Sequence, residues 1–313
     1  MGENFGLFKS FGDRLFEGET PTNLGLIGSV NISPLLLDAY PNAAVAYSLR
    51  SLRSTYTGNA IRVRRTSDNT EQDIGFASGN LDTISLLAFC GVSNGFVTTW
   101  YDQSGNANNV VQTTAANQAQ IVSSGSVILQ NSKPTMLFDG VNDSFLSTVA
   151  VDPLFITAVN SPNTTGVYKT LMGADASGVT AAGSIYFQYS DLTRNATFSR
   201  KTSVDSGGAS DFQARSITSE LNNVMNLMTG TRTSTVIQVF TNNALKGSDT
   251  TTNPLASLGG TDNGKFRLMA GYFSSAVTDF LQGNLSEFVA YTSDQSSNRT
   301  GINTDINTYY AIY

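Results

Sequence analysis

The sequence predicts an all-β sandwich or jelly roll, and three observations point there. Only 13% of the 313 residues are charged, about half the share of an ordinary globular chain. The chain is rich instead in Ser, Thr and Asn, whose short polar side chains satisfy turn backbones. Apolar residues make up 40%, enough for a sizeable core. They fall in short alternating or β-branched runs between turn signals.

Residues 1–32 differ from the rest. Phe5, Leu7, Phe8, Phe11, Leu15 and Phe16 stand mostly three or four positions apart, which is helix periodicity. Gly6, Gly12 and Gly18 weaken that helix. Glu19-Thr20-Pro21-Thr22-Asn23 then marks a turn, and a Gly-rich stretch runs to Gly28. A phenylalanine-rich terminal segment has to bury its rings, on its own domain or on a partner. The expectation is a docking arm over 1–32 that seats on a partner subunit. A single domain then follows over 33–313, with no internal repeat.

Residues 33–58 read as partly helical. Pro34 opens a helix. Ala43, Ala44, Ala46, Tyr47, Leu49, Leu52 and Arg53 support a second short one, ended by Tyr56-Thr57-Gly58. From Ile61 the texture is β. Strands are expected at 61–64, 97–101, 185–189, 236–240, 266–269 and 285–291. Turn clusters separate them at 104–106, 139–140, 206–208, 241–243 and 262–264. From Ser296 the pattern returns to helix. Ser296 or Ser297 caps it, and Ile302, Ile306, Tyr309 and Tyr310 form one face.

Composition excludes several chemistries. There is no histidine and a single cysteine, Cys90. Ser-His-Asp and Cys-His nucleophile systems are therefore absent, as are imidazole metal sites and structural zinc sites. Cys90 follows Leu86-Leu87-Ala88-Phe89 and reads as a small core residue. Net charge is −6 with a pI near 4.7, which argues against a nucleic-acid partner. Arg62, Arg64 and Arg65 form the tight basic cluster. Asp68, Glu71 and Asp73 follow it at once, so local ion pairing is expected. No apolar run approaches the ~20 residues that span a bilayer. The start of the chain lacks a Lys/Arg-then-apolar signal pattern, so export by a classical signal is not expected.

Trp100 lies inside a β-branched run and reads as core rather than as a sugar-stacking platform. Asp102 belongs to a polar turn with Gln103, Ser104 and Asn106, where its carboxylate accepts backbone N–H groups. Asp139-Gly140-Val141-Asn142-Asp143 offers three oxygen ligands to Ca²⁺, but Asp-Gly is also ordinary hairpin chemistry. No cofactor is expected beyond that calcium alternative. Glu287, within a strand, reads as a hydrogen-bonded structural carboxylate.

Five segments then carry a resemblance. They are Ser48 to Gly58, Arg62 to Asp68, Trp100 to Asn106, Phe138 to Asp143, and Leu281 to Tyr291. Together they look like a concanavalin A-like, laminin-G-like jelly roll. The Tyr-Thr-Gly, Arg-x-Ser-Asp and Tyr-Asp-Gln-Ser-Gly elements resemble the catalytic domain of the arabinofuranosidase B family. The closing stretch from Gly283 to Tyr310 resembles versions found in structural proteins of bacteriophages and other viruses. The resemblance covers roughly residues 43–313. It implies an all-β concanavalin A-like jelly-roll sandwich with a few short helices and an N-terminal arm.

The resemblance also implies where carboxylates would stand. A retaining glycosidase needs two of them about 5 Å apart. In the arabinofuranosidase pattern a nucleophilic glutamate precedes an Ile-Tyr-Phe strand by two residues. Here that position is Gly183, ahead of Ile185-Tyr186-Phe187. The acid/base aspartate follows a Gly-Gly pair, where this chain has Ala270-Gly271-Tyr272-Phe273-Ser274. Neither position carries an acid. The expected function is therefore a non-catalytic virion protein of capsid, head fibre or tail, residing in the virion. It would dock on other virion proteins through its arm, assemble as a homo-oligomer and bind host glycans. The alternatives are a glycoside hydrolase of arabinofuranosidase type with displaced carboxylates and a cellular lectin-like adhesion module. Any glycan site is expected at Tyr186, Tyr189, Tyr272 and Phe273.

Overall fold

The computed structural model describes residues 34–163, 168–174, 185–189, 195–200, 212–220, 222–251, 264–273 and 276–313. The expected arm residues Phe5, Leu7, Phe8, Phe11, Leu15 and Phe16 lie outside these, as does Gly183. Leu35–Tyr313 forms one unit, built of two antiparallel layers.

The first layer is centred on Gln282–Tyr291. One side of that strand pairs with Phe155–Pro162 along nearly its whole length. Its other side is shared by Met136–Asp139 and Val45–Ser48. Asn226–Arg232, Val236–Thr241 and Ala244–Thr250 continue the layer outward from Phe155–Pro162. The second layer runs Glu71–Ile74, Ile61–Arg65, Gly95–Trp100, Val110–Val111, Phe145–Ala150, Lys265–Leu268, Lys169–Ala174, Ile185–Tyr189, Asn195–Arg200 and Phe212–Ser219. The expected jelly-roll sandwich is thus observed.

The layers meet at both sides. Gln120–Ser123 pairs with Gly95–Trp100 and also bridges to Leu137. At the far side the Gln213 N–H donates to Asp249 Oδ2 at 3.0 Å. There a Cβ on Gly247 would stand 2.2 Å from the Arg215 carbonyl oxygen. Near-closure of this kind leaves few strand edges open to another chain.

Strand periodicity separates two cores. Ile156, Ala158, Met228, Phe288 and Ala290 join Trp100, Phe145, Phe187 and Phe198 in the main one. Their sequence neighbours Phe155, Val159, Leu227, Val289 and Tyr291 face the other way. Those pack with Leu36 and Leu37 of α1 (Leu36–Ala39) and with Ile302, Ile306 and Tyr310 of α3 (Arg299–Tyr310). The four-residue spacing of the α3 stripe matches one helix face. Phe155–Pro162 and Asn226–Arg232 are consequently buried on both faces.

The second expected helix, over 43–53, is not formed. Val45–Ser48 is a strand, fully buried and paired with Glu287 to Ala290. Helix propensity of the alanines is a weak preference, and the packing on Gln282–Tyr291 overrides it. A helix that periodicity did not indicate, α2 (Thr83–Cys90), begins at Asp82, whose side chain accepts from the Ser85 N–H. Cys90 ends it, buried. Trp100 is core as expected, fully buried with its ring 5.6 Å from that of Tyr47 and 6.4 Å from that of Phe145. The basic cluster pairs locally, Arg62 with Glu71 and Asp73, Arg65 with Asp68.

The Asp139 turn uses its own carboxylates. Asp139 Oδ1 accepts from the N–H groups of Val141, Asn142 and Asp143, and Asp143 Oδ2 accepts from the Asp139 N–H. Among the described residues no three His, Cys, Asp or Glu side chains group as metal ligands. Burial pushes the Asp143 carboxyl up to about 7, with the Asp139 charge adding to the rise and the Asp139 N–H opposing it. The folded state therefore holds a proton that the unfolded chain, with an aspartate pKa near 4, releases. Stability from this group is full below about pH 4 and is lost as pH rises to about 7. Asp143→Asn is expected to remove that loss, by up to about 4 kcal/mol at pH 8. Urea midpoints from pH 4 to 8 check it; parallel profiles for variant and parent would contradict it.

Candidate glycan-binding site

The site lies on the outer face of the second layer. Strand pairing sets Leu146, Arg267, Gly173, Tyr186, Ser199 and Gln213 in one row across five neighbouring pairs. The adjacent row, Phe145, Leu268, Met172, Phe187, Phe198 and Ala214, belongs to the main core. Side chains alternate across a strand, so the Tyr186 row faces away from that core.

Gly173 leaves a gap in the row, and a hairpin fills it. The hairpin pairs Gly271–Phe273 with Ala276–Thr278. A Cβ on Gly173 would stand 2.9 Å from Gly271 Cα and 3.2 Å from the Ala270 carbonyl oxygen. Glycine is needed there because backbone lies against backbone. Thr170 adjoins the same spot, its Oγ1 2.8 Å from where a Cβ on Gly271 would stand. That hydroxyl is fully buried and has no hydrogen-bond partner among the described residues. The hairpin ends at Asp279, whose carbonyl accepts from the Thr170 N–H at 2.9 Å. Burial raises the Asp279 carboxyl above the usual range, while the Lys169 charge acts in the opposite direction. A carboxyl group with raised proton affinity thus stands at the end of the hairpin.

The structure divides the expected glycan residues. Tyr186 is in the row, half-buried. Tyr272 and Phe273 are in the first hairpin strand, so the backbone brings them beside that row. Tyr189 belongs to the opposite face. It is fully buried, and its hydroxyl donates to Asn160 Oδ1 of the first layer. Its ring is part of the core and offers no platform to a sugar. Thr170, Lys169 and Asp279 were not singled out from the sequence. One signal was available: Asp279 is the first acid after Gly271-Tyr272-Phe273.

The motif residues nearer the start of the described chain act as clamps. Asp102 accepts from the N–H groups of Ala46, Ser104 and Asn108 and from Ser104 Oγ, at 2.7–2.9 Å. Gln103 Oε1 accepts from the Leu52 N–H, and its Nε2 donates to the carbonyls of Ser48 and Arg50. The Tyr-Asp-Gln-Ser-Gly turn therefore holds the 46–52 segment in place. Arg50 meets Glu287 through Nε and Nη2 and reaches Asp305 of α3. Burial alone would lower the Arg50 pKa, but the Glu287 and Asp305 charges override it and raise it. Glu287 also accepts from Ser48 Oγ and the Tyr310 hydroxyl, which makes it the structural carboxylate expected of it.

Residues 38–136 match the model of the α-L-arabinofuranosidase B catalytic family. No curated protein matches the chain. Among solved structures, an arabinofuranosidase complexed with arabinofuranosyl-α-1,2-xylobiose shares the fold with a TM-score of 0.58 and 17% identity. That likeness covers 87% of this chain and 64% of the other. A glycoside hydrolase family 54 α-L-arabinofuranosidase soaked with a cyclic sulfate inhibitor gives a TM-score of 0.57 over the same shares, again at 17% identity. The chain thus spans just under two thirds of the length of the enzymes it matches.

These matches overturn part of the expectation drawn from sequence. The family model and the neighbours are glycosidases, not viral proteins. The reading as a non-catalytic bacteriophage or capsid component, and its placement in the virion, are corrected accordingly. The same finding corrects the expectation that the chain is not an enzyme. The viral reading weighted the Gly283-to-Tyr310 stretch, but those residues serve packing. Ile302, Ile306 and Tyr310 cover the first layer.

Proposed function

We infer that this chain is a glycoside hydrolase of arabinofuranosidase type whose carboxylates are displaced from the family's usual positions. The match of residues 38–136 to the arabinofuranosidase B catalytic model carries the reading. The Tyr186 row beneath its hairpin supports it as the sugar-facing surface, with Tyr186 supplying aromatic contact and the backbone of the Gly271–Phe273 strand lying beside it. Asp279 is the proposed general acid. Burial raises its proton affinity, the direction of shift that favours the protonated form a general acid uses on a leaving oxygen.

The substrate class follows that of the related enzyme soaked with 4-nitrophenyl α-L-arabinofuranoside. The full chain is expected to release nitrophenol from that compound. Asp279→Asn is expected to lower turnover by about 10²–10⁴-fold, the usual worth of a positioned acid, with folding unchanged. Absence of turnover by the unmodified chain would overturn the hydrolase. Full activity in Asp279→Asn would remove Asp279 from the mechanism. A second reading, an arabinose-binding module without turnover, is favoured by one observation: Gly183 and the Gly271-to-Phe273 stretch carry no acid. Binding of the arabinoside without hydrolysis is the result that would select it.

A further inference from the structure

A cleft lies at the clamp end of the fold, away from the Tyr186 row. Its volume is about 640 Å³, and it is lined by the 41–44 segment, Arg53, the 104–108 turn, the 149–151 segment and Thr292. We propose that this cleft binds the carboxylate of an acidic sugar unit, such as a uronic acid residue within a glycan.

Arg53 carries the argument. One guanidinium nitrogen, Nη1, donates to the Ser104 carbonyl at 2.8 Å. That is its sole hydrogen bond among the described residues, and no carboxylate there pairs with it. Gly105 lets the group lie flat on the turn. Its φ is +97°, and a Cβ there would stand 2.6 Å from Arg53 Nη1. The neighbouring acid, Asp102, is already saturated by four donors from the protein. Arg53 therefore presents a held, half-buried cation whose remaining N–H groups match a carboxylate in bidentate geometry.

The rest of the cleft suits a sugar ring. Asn106 Nδ2 donates to the carbonyls of Ala43 and Ala44, and Asn108 Nδ2 donates to that of Ala44. Asn106 Nδ2 thus spends both hydrogens on the backbone and Asn108 Nδ2 spends one, which leaves the two Oδ1 atoms to accept from sugar hydroxyls. Val149 and Val151 supply an apolar wall for the C–H face of a ring. A cation, two acceptors and an apolar wall form the donor-and-surface set that a small polar ligand needs.

Calorimetric titration of the full chain with tri-galacturonate and with neutral arabinotriose tests this. Tri-galacturonate is expected to bind at least tenfold more tightly than the neutral sugar. Arg53→Met is expected to weaken tri-galacturonate binding at least tenfold. Because Arg53 also ties down the Ser104 turn, Thr292→Glu gives an independent reading. Thr292 is an exposed residue lining the same cleft as Arg53, so a negative charge there is expected to repel a bound carboxylate without disturbing the core. It is expected to weaken tri-galacturonate at least tenfold and to leave nitrophenyl arabinoside turnover unchanged. Equal affinity for acidic and neutral sugars, or unchanged binding in Thr292→Glu, would overturn the site. Neither result bears on the hydrolase reading, which is judged on the arabinoside alone.

Discussion

Replacing Glu287 with alanine is expected to destabilise the fold by about 3–5 kcal/mol, the usual effect of removing one member of a buried ion pair. Glu287 is fully buried, and Arg50 beside it is 6% exposed. The carboxylate accepts from Arg50 Nε at 2.8 Å and Nη2 at 3.1 Å, from Ser48 Oγ at 2.7 Å and from the Tyr310 hydroxyl at 3.3 Å. Its loss leaves a buried guanidinium with Asp305 as the remaining acid. Three elements come apart together: the Val45–Ser48 strand, the Gln282–Tyr291 strand and α3. The same physics predicts that the double variant Arg50→Met/Glu287→Leu recovers most of the loss, since an apolar pair of similar volume avoids the desolvation cost. Urea unfolding of the single and double variants checks both statements. A loss below about 1 kcal/mol in Glu287→Ala would show that the pair contributes no more than an exposed one.

Asp102→Ala is expected to cost about 3–4 kcal/mol, because each buried donor left without a partner costs about 1–3 kcal/mol. Asp102 is 3% exposed and is the common acceptor for Ala46, Ser104 and Asn108. Asp102→Asn keeps one acceptor oxygen and is expected to lose about half as much. Hydrogen exchange should locate the effect. The Ala46 amide, which reports the join between the turn and the Val45–Ser48 strand, is expected to lose protection in Asp102→Ala well before the Phe155–Pro162 strand does. Uniform loss of protection across the molecule would mean that the turn is no separate clamp.

The strands were legible where local pattern and tertiary role agree. Ile61–Arg65, Ile185–Tyr189 and Lys265–Leu268 alternate buried and half-buried residues, or nearly so, and turn residues bound them. Residues 43–53 misled because alanine favours helix in isolation while a partner strand far along the chain claims the segment. The α2 helix escaped notice for a related reason. Its apolar residues are spread around the helix, with Leu86 buried and Ile84 81% exposed, so no stripe appears. Of the aromatic residues expected at the candidate site, Tyr186 lies in the outer row and Tyr189 in the core. Thr170 and Asp279 were not legible, since their place depends on a hairpin folding back over a glycine.

Local periodicity and composition suffice for the class of fold, the closing helix with its Ile302, Ile306 and Tyr310 face, the burial of Trp100, and the exclusion of histidine chemistry. Which side of each strand faces outward depends on long-range packing. Tyr186 and Tyr189 lie three residues apart in one strand, and side chains alternate across a strand, so one lies in the outer row and the other in the core. Only the tertiary structure set Asp279 beside Thr170 and Arg53 beside Gly105. Those neighbours are 109 and 52 positions apart in the chain. Cross-strand pairing and loop packing bring them together, and neither is written in any local stretch of residues.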